Sequence, residues 1–290
     1  MAFRISAFAD EAGISASEQI AALRRNNIGL VDVRGIDGVN VSVFTEDAAK
    51  GYAEQYLSGG IKVSMIGSPM GKIKLTEDFE EHINMFRRLI GTARIFGTDK
   101  IRIFSFFTKD KKEHRAEVLK RLNLLCEITA GEGVTLYHEN EKDIYGDVLS
   151  SVEDVLDSVK GLKNIFDPAN FVQCGQDVAV AIDTLAARTE YLHIKDAIAG
   201  SGEIVPAGKG DGKLSLLISR VAQQRAEEQT VLCLEPHLKV FAGYGSIDEH
   251  ELKNLYSFGS NDEAFDASAN ALKQLLRELG YRENNQLWTR

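Results

Sequence analysis

Apolar and polar positions along this chain follow two alternating periods. Short runs rich in β-branched and aromatic residues, each ending in polar ones, predict strands at 3–9, 29–34, 62–67, 100–106, 134–140, 164–167, 191–195 and 231–236. Stretches of helical period lie between them. Phe79, Ile83, Phe86, Ile90 and Ala93 fall at i, i+4, i+7, i+11 and i+14, on one helical face. Leu122, Leu125 and Cys126 continue another such face. Phe265, Ala269, Leu272, Leu276 and Leu279 mark a final helix that Gly280 ends. Ser15 with Glu18 three residues on predicts a capping box opening the first helix.

Strands that alternate with helices imply a parallel sheet, and eight is the number that closes a barrel. A doubly wound open sheet is the competitor. Its dinucleotide-binding form is weakened because no G-x-G-x-x-G follows the first strand. The expected fold is therefore a (β/α)₈ TIM barrel, with residues 1–290 as a single domain. The long segment 236–260, with Phe241, Tyr244, Tyr256 and Phe258, is expected either to cover the active site or only to join the last strand to the last helix.

Composition narrows the classes. Hydrophobic residues make up 44% of 290 residues, ample for a core. No run approaches the length of a membrane span, and the N-terminus lacks a signal-peptide pattern. The net charge of −9 disfavours nucleic acid. Cys126, Cys174 and Cys233 form neither a disulfide framework nor a C-x-x-C knuckle and read as reduced core residues of a cytoplasmic protein. A homo-oligomer is compatible with the sequence.

Barrel chemistry collects where strands end. Four successive strand ends carry acidic or imidazole groups: His138-Glu139-Asn140, Asp167-Pro168-Ala169-Asn170, His193-Ile194-Lys195-Asp196 and Glu235-Pro236-His237. Three of the six histidines lie there. Solvated strand ends are the plain alternative for any one of these. Four in succession point instead to the carboxylate and imidazole ligands of one divalent ion, Mn²⁺, Mg²⁺, Co²⁺ or Zn²⁺. Alternation places His138 and Glu139 on opposite faces without saying which points inward. His237 follows Glu235 on its own side unless Pro236 turns the chain. Glu141 reads as a loop-surface charge. Arg102 and Lys195 either bind substrate oxygen or phosphate, or pair with a neighbouring acid such as Asp196. Residues 206–212 are glycine-rich but lack P-loop spacing. They read as a turn, although a phosphate near the strand-seven loop is a recurrent barrel arrangement.

These residues resemble the xylose isomerase-like TIM-barrel superfamily, in its sugar phosphate isomerase/epimerase branch. The resemblance covers nearly the whole chain. It runs through Phe8-Ala9-Asp10-Glu11, Gly67-Ser68-Pro69-Met70-Gly71-Lys72 and Arg102-Ile103-Phe104-Ser105, and is strongest at Asp167-Pro168-Ala169-Asn170-Phe171 and His193-Ile194-Lys195-Asp196. It implies a metal site of Glu139, Asp167, His193 and Glu235, with Glu139 and Glu235 also carrying proton transfers. It also draws Lys72 into the site region. The chain departs from the pattern in three places. Asp32-Val33-Arg34 stands where many relatives have Glu-x-Arg, Asn170 where the epimerases have His, and Lys195 where they have Arg. The substrate contacts are thus expected to be this chain's own, drawn from Lys72, Arg102, Asn170, Lys195 and His237.

A proton shift on a hydroxy ketone needs a base, a means of holding enediolate oxygens, and an acid. A chelated divalent ion supplies the second, and two opposed glutamates supply the others. The expected activity is isomerisation or epimerisation of a small ketose, cyclitol or sugar phosphate. Dehydration of an inosose-type keto sugar is the alternative. A phosphodiesterase of the endonuclease IV kind would need more histidines, and a non-catalytic sugar-binding barrel would have little use for two opposed glutamates.

Overall fold

The computed structural model describes residues 2–226, 228–242, 244–246, 252–253 and 256–290. Eight strands form the barrel wall: β1 Ala2–Ala7, β2 Leu30–Val33, β3 Lys62–Ile66, β4 Lys100–Ile103, β5 Thr135–Glu139, β6 Lys163–Phe166, β7 Thr189–Ile194 and β8 Gln229–Leu234. All eight fall within or beside the runs expected from the sequence. Parallel ladders join each strand from β2 to β8 to the next, and β8 pairs with β1. Between β1 and β2 there is no ladder among the described residues. The two lie side by side, and Ser6 Oγ donates to Asp32 Oδ1 at 2.5 Å across that seam.

The helices packed outside are α1 Ala16–Arg25, α2 Glu46–Ser58, α3 Phe79–Phe96, α4 Lys111–Thr129, α5 Leu149–Ser158, α6 Pro168–Gln173, α7 Val178–Leu185, α8 Leu214–Gln224 and α9 Asn261–Glu278. Local chemistry sets their ends. The Ser15–Glu18 capping box forms at α1. Asp78, Asp110 and Ser260 side chains accept from the first-turn amides of α3, α4 and α9. On α3, Ile83, Phe86, Ile90 and Ala93 are buried as their spacing required, and Phe79 is half-buried. No helix among the described residues is long and apolar enough to cross a membrane.

One feature has no counterpart in the sequence reading. β9 (Arg282–Asn284) and β10 (Leu287–Thr289) form a hairpin, and β10 pairs antiparallel with Ala2, Phe3 and Arg4. Its two turn residues, Asn285 and Gln286, both have positive φ, as a type I′ turn requires. The hairpin sets Trp288 opposite Phe3 and occupies the edge of β1 away from β8. The cysteines are free, but only Cys233 is a core residue; Cys126 and Cys174 are half-buried.

The barrel interior has its own small core of Phe8, Met65, Tyr137, Ile165, Tyr191 and Cys233. These are inward positions, and the two-residue period of a strand repeats the inward direction two residues later. The residues that follow at that step are Glu139, Asp167, His193 and Glu235.

Candidate metal centre and active site

Each of these four side chains therefore points into the mouth of the barrel for the same reason. Their ligand atoms all lie within 4.8 Å of one another, and all four residues are buried. His193 Nδ1 is 2.9 Å from Glu139 Oε1 and 3.1 Å from Glu235 Oε2. Asp167 Oδ1 accepts from the Asn170 amide at the start of α6. Its other oxygen, Oδ2, has Lys195 Nζ at 2.9 Å. Apart from these ion-pair contacts, the buried Asp167 Oδ2 and Glu235 Oε2 have no hydrogen-bond partner among the described residues. His138 points the other way, toward Ser105 Oγ at 3.0 Å, which settles that Glu139 is the inward residue of the pair.

The donor set fits a divalent ion. Three carboxylates and an imidazole are the ligand types such an ion selects. Bonds of about 2.0–2.1 Å give ligand-to-ligand edges of about 2.8–3.4 Å in octahedral or tetrahedral shells. The His193 contacts to both glutamates are close to that edge length.

Arginines fix the remaining glutamate oxygens. Arg102 Nη1 donates to Glu139 Oε2 at 3.0 Å. Arg34 Nη1 donates to Glu235 Oε1 at 3.0 Å. Arg34 also binds both oxygens of Asp10 and Glu11 Oε1, and its guanidinium lies 4.3 Å from the Phe8 ring centre and 4.9 Å from that of Phe241. Sequence reasoning missed Arg34 and Glu11 as site residues. The signal was present, because both stand at the ends of strands one and two, where the strand-end rule applies equally.

The electrostatics follow from burial and these pairings. Burial alone would raise the Glu235 carboxyl, but Lys195, His193 and His237 hold it well below the carboxylate range. Burial raises Asp167 to about 7 despite Lys195. Burial opposes charge on His193, yet Glu139 and Glu235 raise it to about 10. Burial raises Glu11 to about 8 against the pull of Arg34.

The other expected site residues are distributed unequally. Lys195 enters the cage and pairs with Asp167, not with Asp196. Asp196 is instead enclosed by the glycine-rich loop: Gly208 and Gly210 amides donate to its Oδ2, and Gly212 and Ala197 amides to its Oδ1. That loop is a turn built around an internal carboxylate, which uses the amides a phosphate would need. Asn170 Nδ2 donates to the Asn140 carbonyl, and the Asn140 side chain bonds the Asp167 backbone twice. Asn170 thus positions Asp167. Pro236 does turn the chain: His237 has φ +45. It remains buried, with Nε2 3.4 Å from Glu11 Oε1 and 3.7 Å from Glu235 Oε1.

Glu141 is a correction to the sequence reading. It is buried rather than a surface charge, and Lys72 Nζ pairs with it at 3.0 Å. Against the effect of burial, Lys72 and Lys195 lower its carboxyl to about 2. Lys72 reaches it because the third loop packs tightly: a Cβ on Gly71 (φ +89) would lie 2.0 Å from the Phe104 carbonyl oxygen. Within the segment 236–260, residues 243, 247–251 and 254–255 lie outside the described residues. Phe241 stacks on His237 and Tyr244 meets its ring edge-on, so this part adjoins the site. Tyr256 is exposed and stacks on Phe258.

Comparison with known proteins agrees with this architecture. Residues 8–275 match the family described as xylose isomerase-like TIM barrel. No curated protein matches the chain significantly. Among solved structures, an IolI protein with a bound zinc atom superposes with a TM-score of 0.76 at 13% identity, covering 95% of this chain and 99% of that one. An L-ribulose 3-epimerase gives 0.73 at 16% identity, covering 96% and 95%. The AsbF protein of Bacillus anthracis, described as a probable 3-DHS dehydratase involved in petrobactin synthesis, gives 0.67 at 18% identity, covering 94% and 99%. At these identities the likeness establishes the fold.

Proposed function

The chain belongs to the xylose isomerase-like TIM barrel family, and from that premise we propose that it is a divalent-metal-dependent isomerase or epimerase of a small hydroxy-carbonyl sugar. The observation that carries the reading is the convergence of Glu139, Asp167, His193 and Glu235, one from each of four strand ends, with ligand atoms within 4.8 Å. These four would hold one ion, which supplies Lewis-acid stabilisation of adjacent carbonyl and hydroxyl oxygens when bound.

The chain's own residues do the rest. Glu139 and Glu235 stand on strands three apart around a ring of eight and face each other across the mouth. One accepts the proton from a carbon beside the carbonyl, and the other returns a proton to carbon, from the opposite face in an epimerisation. Arg102 and Arg34 keep both carboxylates in place. Lys195 donates to a substrate oxygen. Asn140 and Asn170 hold Asp167 still. Phe241 and Tyr244, packed on His237, exclude water from this side.

The likeness to an L-ribulose 3-epimerase supports epimerisation, and that to a probable 3-DHS dehydratase supports the lyase alternative. Proton NMR in D₂O separates them, with Mg²⁺-loaded protein and a panel of ketoses, inososes and sugar phosphates. Deuterium entering at a carbon beside the carbonyl, without loss of water, is expected. Loss of water would assign a dehydratase. Metal-loaded protein that exchanges no C–H in any panel member would refute both.

A further inference from the structure

The barrel interior beside the four-residue cage holds a carboxylate that the proton transfers do not use. Asp32, on β2, is buried. Ser6 Oγ donates to its Oδ1 at 2.5 Å. The Tyr191 hydroxyl lies 2.7 Å from Oδ1 and 2.9 Å from Oδ2, to which it donates, and 2.8 Å from Ser64 Oγ. Side chains from β1, β2, β3 and β7 thus combine to hold one carboxylate. These hydrogen-bond partners are hydroxyls, not a lysine or arginine, so they satisfy lone pairs without neutralising the charge. A carboxylate buried in this way is costly, and a neighbour that carries positive charge offsets the cost.

His193 is placed to be that neighbour. It follows Tyr191 by two residues on β7, so both face the interior. The ladders set Cys233 beside Ser6 on one side and beside His193 on the other. An Asp32 oxygen, Cys233 Sγ and a ring nitrogen of His193 all lie within 4.8 Å of one another. His193 Nδ1 is committed to the cage, at 2.9 Å from Glu139 and 3.1 Å from Glu235. Nε2 is buried and has no hydrogen-bond partner among the described residues. When Nδ1 gives its lone pair to an ion, the ring proton sits on Nε2, which becomes a donor in need of an acceptor. Thiol sulfur is a weak acceptor, and a carboxylate is a strong one. A separation of this size is one that a single water spans, at about 2.8 Å per hydrogen bond. The trio of Asp32, His193 and Cys233 is composed like a second metal site, but both Asp32 oxygens already accept from hydroxyls and His193 already serves the cage.

We propose that Asp32 is a positioning residue for the metal centre: it takes the Nε2–H of His193, on a small shift or through one water, and so fixes the tautomer and ring orientation that present Nδ1 to the ion. The negative charge on the far side of the imidazole also makes Nδ1 a better ligand. This deepens the metal-dependent reading above and rests on it for the ion itself.

Competition calorimetry with Zn²⁺ on the full chain tests this, using the parent, Asp32→Asn, His193→Ala and the double variant. Asparagine keeps the size and can still accept from Ser6 and Tyr191, but it loses the charge. Affinity is expected to fall roughly 10- to 100-fold in Asp32→Asn, the scale of an outer partner of a ligating histidine. In the His193→Ala background the same change should cost nothing further, because its effect travels through the ring. An equal loss in both backgrounds would mark general damage to the barrel and overturn the proposal, as would unchanged affinity in Asp32→Asn. A second readout needs only the parent and so holds even where the variant fails to fold. Nitrogen-proton NMR of the Zn²⁺-loaded protein should show His193 with Nε2 protonated and its N–H proton shifted downfield and protected from exchange with water. An unprotonated Nε2, or an N–H that exchanges as freely as an exposed imidazole, would also overturn it. Parental Zn²⁺ affinity in Asp32→Asn leaves the metal centre standing without this support, whereas a parent that takes up no Zn²⁺ removes both readings.

Discussion

Replacing Asp196 by Asn tests whether the loop over the barrel mouth is built on one buried charge. The carboxylate accepts four backbone N–H groups, at 2.9 and 3.0 Å on Oδ2 and at 2.9 and 3.0 Å on Oδ1. Asparagine has the same size, so no cavity is created. Its single oxygen can keep two of the four amides, while its NH₂ group faces the other two as donor against donor. Hydrogen bonds to a charged group contribute about 1.5–3 kcal/mol each. Losing two, with partial relaxation of the loop, costs about 3 kcal/mol. Amide exchange through local opening of the loop should then accelerate by roughly 10²-fold. The assay is hydrogen exchange of peptides covering 206–212 near neutral pH, compared with peptides from α3 as an internal reference. Because Lys195 directly precedes Asp196, turnover should fall as well. Unchanged exchange across 206–212 would show that the loop holds its shape without this carboxylate, and the account of Asp196 would be wrong.

Glu139→Gln and Glu235→Gln should each keep much of their metal and lose roughly 10²-fold or more in turnover, the usual scale of a general base; metal-replete variants with parental turnover would refute the two-base scheme. His193→Ala should weaken metal binding by at least about 10²-fold, since losing a ligand exceeds the cost of losing its supporting hydrogen bond; equal metal in parent and variant, by elemental analysis, would exclude His193 as a ligand. His82 bears on stability. Burial lowers it to about 4 from an ordinary 6.5, and its Nε2 accepts from the Gly71 amide at 2.8 Å. The fold favours the neutral ring, so this contribution is complete above the unfolded value near 6.5 and is lost as pH falls toward 4, amounting to about 3 kcal/mol. His82→Gln should flatten the decline in urea stability over that window, and an unaltered pH profile would count against it.

The pattern of the sequence determined the wall and the outer layer. Eight β-rich runs and their intervening helical faces were legible because burial repeats every two residues in a strand and every three to four in a helix. Capping residues such as Ser15 marked helix ends by purely local chemistry. The four-residue cage was legible for a related reason: each of its residues ends a strand, and the family resemblance chose among neighbours such as His138 and Glu139. What needed the tertiary structure was every partnership between distant positions. Glu141 reads as a loop charge until Lys72, 69 residues away, is brought beside it. Arg34 lies 201 residues from Glu235, and nothing local announces that it will hold that carboxylate. The hairpin at 282–289 is too short and polar to carry a strand period, and it exists because β1 offers it an edge. The glycine-rich loop and Asp196 show the same division. Sequence marks the flexibility of the one and the charge of the other. Only the tertiary structure places four amides around that carboxylate, because hydrogen bonds within a folded loop are set by geometry that local periodicity does not encode.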